Sequence, residues 1–144
     1  VTEIGCRAFE SCSALESVVI PESVTSIGNG AFCQCSGLVS IVIPDSVTYI
    51  GDFAFDNCEG LTSITIPHSI TSISENLFYG CTGLITVTIP VSVTEIGSQA
   101  FESCSALESV IIPELVILIG DRSPIKITNS GIITDSNALQ LSKA

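Results

Sequence analysis

Phe9, Phe32, Phe55, Phe78 and Phe101 stand 23 residues apart. Three residues after each comes a cysteine: Cys12, Cys35, Cys58, Cys81 and Cys104. Three further on comes Leu15, Leu38, Leu61, Leu84 or Leu107, and six beyond that Pro21, Pro44, Pro67, Pro90 or Pro113. Four residue columns repeating five times without a slip describe a solenoid, in which each repeat is one coil and only neighbouring coils bury each other's apolar face. The repeated residues fill the core of such a structure. Recognition or chemistry must therefore sit on the positions that vary.

Within each unit the segment Leu-x-x-Ile-x-Ile alternates and is rich in β-branched side chains, which reads as a strand with one face inward. Strands are predicted near residues 17–20, 40–43, 63–66, 86–89 and 109–112, parallel and in one sheet. The proline ends each strand because it cannot donate to a ladder. A second apolar pair follows (Val24 and Ile27, Val47 and Ile50, Ile70 and Ile73, Val93 and Ile96), predicting a shorter strand near 25–27, 48–50, 71–73 and 94–96. Next stands Gly28, Gly51, Gly97 or Gly120, with Ser74 as the exception. A glycine here is expected to allow a turn with positive φ. The stretch from Gly28 to Cys35 suits one helical or 3₁₀ turn. The predicted fold is a mainly β, right-handed superhelix of five 23-residue coils over residues 1–120, each coil strand, short strand and helical turn. Residues 121–144 break the pattern, with Pro124 in the phenylalanine column. Ile125–Ile127 and Ile132–Ile133 there resemble a hairpin. This tail is expected either to cap the last coil or to act as a linker or the start of another domain.

The pattern Leu38-x-x-Ile41-x-Ile43-Pro44-x-x-Val47-x-x-Ile50-Gly51-x-x-Ala54-Phe55-x-x-Cys58 resembles the BspA-like, or treponemal-type, leucine-rich repeats. The resemblance covers Val1 to about Gly120, with departures at Ser74, Leu77 and Leu115. It implies a protein of the bacterial or protist surface, associated with adhesion and binding of host proteins, and it brings no catalytic residues. The expected location is therefore extracellular or at the cell surface.

Charge narrows the partners. The net charge is −11, and from Val1 to Asp121 fourteen acidic residues face a single basic one, Arg7. No basic stripe exists to neutralise phosphates, so nucleic acid is excluded as a partner. A basic or neutral protein surface suits this chain better, although acidity also serves plain solubility. Apolar runs such as Val116–Ile119 are far shorter than the roughly 18 residues of a membrane-spanning helix, so no membrane insertion is expected.

No constellation for catalysis, metal or cofactor stands out. Zinc sites favour close Cys-x-x-Cys pairs, whereas the nearest pair here is Cys33 and Cys35. The column cysteines are expected to be buried and unbridged, acting as small apolar side chains. Cys6 and Cys33 fall in otherwise polar columns and are expected to be exposed and reactive. His68 has no second histidine nearby and reads as an exposed loop residue. Calcium loops, nucleophile elbows and phosphate loops are absent.

The binding face implied for leucine-rich repeats is the outward side of the first sheet. Its positions are Glu16, Ser17 and Val19; Val39, Ser40 and Val42; Thr62, Ser63 and Thr65; Ile85, Thr86 and Thr88; and Glu108, Ser109 and Ile111. The expected function is non-catalytic, adhesion-like binding of a protein partner on this face. A structural spacer without a specific ligand is the alternative, because the face lacks the aromatic and arginine anchors typical of binding hot spots. Thr25, Thr48, Thr71 and Thr94 form an outward threonine ladder on the second sheet, which a purely structural role would explain. Tyr49, Phe53 and Tyr79 are off-pattern aromatics, forming an exposed patch or packing between turns. The open edge of the first coil, near Ile4, Phe9 and Leu15, predicts end-to-end self-association or fraying.

Overall fold

The structure, a computed structural model, describes residues 1–116, 118–119 and 132–134. In chain order the strands are β1 (Glu3–Ile4), β2 (Ser17–Val19), β3 (Ser26–Ile27), β4 (Ser40–Val42), β5 (Tyr49–Ile50), β6 (Ser63–Thr65), β7 (Ser72–Ile73), β8 (Thr86–Thr88), β9 (Glu95–Ile96), β10 (Ser109–Ile111), β11 (Leu118–Ile119) and β12 (Ile132–Thr134). The even strands through β10 form one wall and the odd strands a second. Paired strands within each wall are parallel, with partners such as Ser17↔Ser40 and Ser63↔Thr86 one 23-residue coil apart. Both families of predicted strands are present, each slightly shorter than expected. β12 runs antiparallel against β10. The predicted hairpin's first arm, Ile125–Ile127, lies outside the described residues.

The third wall differs from the expected helical turn: the described residues contain no helix. Two columns of this wall hold left-handed backbone, Arg7, Gly30, Phe53, Asn76 and Gln99 in one, and Ser11, Gln34, Asn57, Gly80 and Ser103 in the other. That geometry divides the N–H groups between two uses. Ala31, Cys33 and Cys35 donate back three residues, to Gly28, Gly30 and Phe32. Gly30, Phe32 and Gln34 donate instead to Asp52, Ala54 and Asp56 of the next coil, at 2.8, 2.9 and 2.7 Å. A helical turn would use its N–H groups internally. Here half of them stitch coil to coil, which a solenoid needs more.

The glycine column also has a different cause from the one expected. Its described members have no positive φ; they are needed for close approach. A Cβ on Gly28, Gly51 or Gly97 would come 2.6 Å from the backbone nitrogen of Cys6, Asn29 or Glu75 in the preceding coil. Ser74 carries such a Cβ, and both ladders break at that coil. The first wall divides into β2-β4 and β6-β8-β10-β12, and the second into β1-β3-β5 and β7-β9-β11. The single sheet predicted is therefore two, separated by one seam. The Gly51 and Gly97 N–H groups donate to Ile27 and Ile73. At the seam the Ser74 hydroxyl donates to the equivalent carbonyl, that of Ile50.

The core lies between the walls and is one continuous cluster. Phe32, Phe55, Phe78 and Phe101 are buried, and successive rings from Phe9 to Phe101 stack with centroids 5.2, 5.6, 5.8 and 5.4 Å apart. Offset stacking in this range adds to the burial of the rings themselves. The cysteine column runs alongside. Cys35, Cys58, Cys81 and Cys104 are buried and unbridged, and their thiols donate to the carbonyls of Phe9, Phe32, Phe55 and Phe78. Cysteine thus supplies a small apolar body with one weak donor, a second partner for a carbonyl that already accepts the N–H of the preceding coil's cysteine. In the first coil the same column positions are open: Phe9 is 38% exposed, Cys12 is exposed, and Ile4 and Leu15 are half-buried.

Candidate interaction face

Alternation along each even strand turns one residue inward and its two neighbours out. Val18, Ile41, Ile64, Val87 and Val110 face the core. Glu16, Ser17 and Val19; Val39, Ser40 and Val42; Thr62, Ser63 and Thr65; Ile85, Thr86 and Thr88; and Glu108 and Ile111 are all exposed. The Ser109 side chain lies outside the described residues. Parallel register sets like columns side by side, so Val19 lies beside Val42, Thr65 beside Thr88 and Thr88 beside Ile111.

The face is apolar at both ends and hydroxylic in the middle. Val19 is 76% exposed and Ile111 68%, while the centre holds Thr62, Ser63, Thr65, Thr86 and Thr88. Glu16 and Glu108 mark its acidic corners. Such a surface offers β-branched contact area and hydroxyl groups to a flat partner. Among the described residues no three His, Cys, Asp or Glu side chains are grouped to hold a metal.

The second wall is a structural surface. The Thr25, Thr48 and Thr94 hydroxyls donate to the carbonyls of Thr2, Thr25 and Thr71, at 3.1, 3.3 and 3.4 Å. Ser23 and Ser92 donate similarly to Val1 and Ile70, at 2.8 and 2.7 Å. These columns repeat because their side chains join coil to coil. His68 is exposed, and its backbone N–H donates to Asp45 Oδ1 at 3.1 Å.

Two readings of the variable residues change on the turn wall. Cys33 is only half-exposed, and its thiol donates to Asp56 Oδ2 at 3.3 Å. Burial, then the hydrogen bond and charge of Asp56, push that thiol up to about 12. It is therefore held neutral and poorly nucleophilic, contrary to the reactive thiol expected; the aligned acidic column misled, because Asp56 sits one coil away as its acceptor. Cys6 is exposed as expected. Of the off-pattern aromatics, Tyr49 is exposed on the second wall, Tyr79 is half-buried, and Phe53 is 46% exposed beside a recess on the turn wall. Sequence reasoning missed that recess. Its signal was one column reading Arg7, Gly30, Phe53, where a missing side chain separates two large ones.

Over residues 2–123 the sequence matches the BspA type leucine rich repeat region, in six copies. The chain belongs to the BspA-type leucine-rich repeat family. Solved structures agree. The Treponema pallidum leucine rich repeat protein is 34% identical with a TM-score of 0.74, the match covering 84% of this chain and 63% of that one. A leucine rich cell surface protein of Faecalibacterium prausnitzii A2-165 is 34% identical with a TM-score of 0.71, covering 100% of this chain and 34% of that one. This chain therefore spans less than two thirds of either protein. No curated protein matches it. As BspA-type repeats, the coils are of a class that generally forms protein-interaction modules.

Proposed function

We propose that this chain is the non-catalytic interaction module of a surface-exposed or secreted protein, binding a protein partner in the manner of an adhesin. The observation that carries the reading is the outward side of the first wall. Its neighbours in the fold are fixed by coil stacking, yet its own residues are free of that duty and exposed in every described case. The opposite disposition holds on the second wall, where the threonines are spent on joining coils. Family membership supports a binding role, and the F. prausnitzii relative is itself described as a cell surface protein. A net charge of −11 favours a partner with a basic or neutral surface.

The hydroxyl-rich centre favours a second reading, a spacer that holds other parts of a longer protein apart. Photo-crosslinking separates the two. A benzoylphenylalanine in place of Thr65 on the first wall should give discrete adducts with proteins of a cell-surface extract, whereas one in place of Ser72 on the second wall should not. Equal, diffuse labelling from both positions would favour the spacer.

A further inference from the structure

The column Arg7, Gly30, Phe53 climbs the turn wall over three successive coils. Gly30 is buried and has no side chain, so a recess of about 330 Å³ opens there, bordered by Arg7, Glu10, Cys33, Asp52 and Phe53. Two coil rises separate Arg7 from Phe53, about 9.6 Å along the axis. The Arg7 stem leans into this span, its Cγ 3.2 Å from where a Gly30 Cβ would stand, and the recess is the space left beside it.

Phe53 is the one aromatic residue in its column. It is exposed, it joins none of the core ring stack, and its φ is 59°, in the left-handed region where a bulky residue is strained. Coils two and four place Gly30 and Asn76 in the same column, residue types at ease there. Phe53 borders the recess, and an aromatic ring face attracts cations. The surrounding charge has the same preference. Glu10 and Asp52 border the recess, with Asp56 behind Cys33. Asp52 uses Oδ1 to accept the Glu75 N–H, which leaves its charge and further acceptor capacity. Arg7 is the opposing charge. It is mostly exposed and pairs loosely with Glu10, at 3.9 Å.

We propose that this recess accepts a cationic side chain, a lysine or arginine of a polypeptide partner, placed over the Phe53 ring with its N–H groups toward Asp52 and Glu10. The site lies on a different wall from the interaction face and does not depend on it. The occupant follows from charge complementarity: around the recess carboxylates outnumber the single guanidinium, as they do along the whole solenoid.

An NMR titration of the full chain tests this, with Nα-acetyl-arginine amide and Nα-acetyl-lysine amide as probes and Nα-acetyl-glutamate amide as the control. The cationic probes should shift the Gly30, Asp52 and Phe53 resonances to saturation, and the glutamate probe should not. Phe53→Asn, which copies Asn76 of the same column and so suits the backbone, should weaken binding about fivefold or more. Asp52→Asn should weaken it as well. Arg7→Gln, which copies Gln99 of the same column, should strengthen it. Absence of shifts with either cation, equal shifts from the glutamate probe, or affinity unchanged in Phe53→Asn would each overturn the proposal.

Discussion

Phe55 has a ring on either side, Phe32 at 5.6 Å and Phe78 at 5.8 Å, and is fully buried. Removing it leaves a cavity bridging three coils. Phe55→Ala is expected to cost about 3–5 kcal/mol, from lost transfer energy and the void, read as a lower urea midpoint. The thiols make a second prediction. With the native chain, an alkylating reagent should modify Cys6 and Cys12 first, Cys33 more slowly, and Cys35, Cys58, Cys81 and Cys104 last. The same groups set a pH dependence. Burial raises Cys33 from 9.0 to about 12 and also moves Cys35, Cys58 and Cys81 upward. A raised folded-state value means that the folded chain holds its protons more tightly than the unfolded one. This contribution is fully present below pH 9.0 and is lost as pH rises through the folded values. Thermal midpoints should therefore fall above about pH 9 and keep falling toward pH 12, less steeply in Cys33→Ser. The burial of Cys35, Cys58, Cys81 and Cys104 could be read from sequence, because the column has no polar exception; Cys12, in the open first coil, is the member left exposed. The state of Cys33 could not, because its partner Asp56 is 23 residues away and is brought alongside only by coil stacking.

Individual strands of two or three residues have little stability of their own; stacking supplies it. Where stacking is imperfect, at the Ser74 seam, the hydrogen-bonded ladders stop. Amide exchange should register this. The Thr94 N–H, which donates to Thr71, should be better protected than the Thr71 N–H, because β5 and β7 do not pair. Ser74→Gly is expected to raise protection at residues 71–73 by letting the fourth coil approach the third. Unaltered exchange in that variant would mean that another contact holds the seam open. The strands and their register were legible because inward and outward positions alternate, and a one-residue slip would invert them. The turn wall was less so. Apolar spacing there suits a helical turn equally well, and the deciding factor is which carbonyl each N–H reaches, a property of neighbouring coils. The glycine column likewise pointed to a real constraint, but its cause, backbone proximity, exists only once coils are stacked.

At the scale of the molecule, the described coils form one rod with a continuous core and chemically distinct walls. β12 lies against β10 at one end of the first wall. Residues 121–144 are expected to act as a cap on that edge: deleting them should lower the thermal midpoint and promote association in sedimentation. A truncated chain that stays monomeric and equally stable would make them a linker instead. The outward positions of the first wall were legible as a set, since they follow directly from the period. The Phe53 recess was not, because columns were compared for likeness and the recess arises from a difference between adjacent members. Binding is proposed for the outward residues of the first wall. An arginine scan tests it most directly, with single substitutions at Val42, Thr65 and Thr88 on that wall and at Ser72 and Glu95 on the second, each assayed for binding to the partner captured by crosslinking. Binding should be lost from the first-wall substitutions alone, with thermal midpoints unchanged. Loss from the second-wall substitutions, with the first-wall variants binding as the parent chain does, would contradict the proposal.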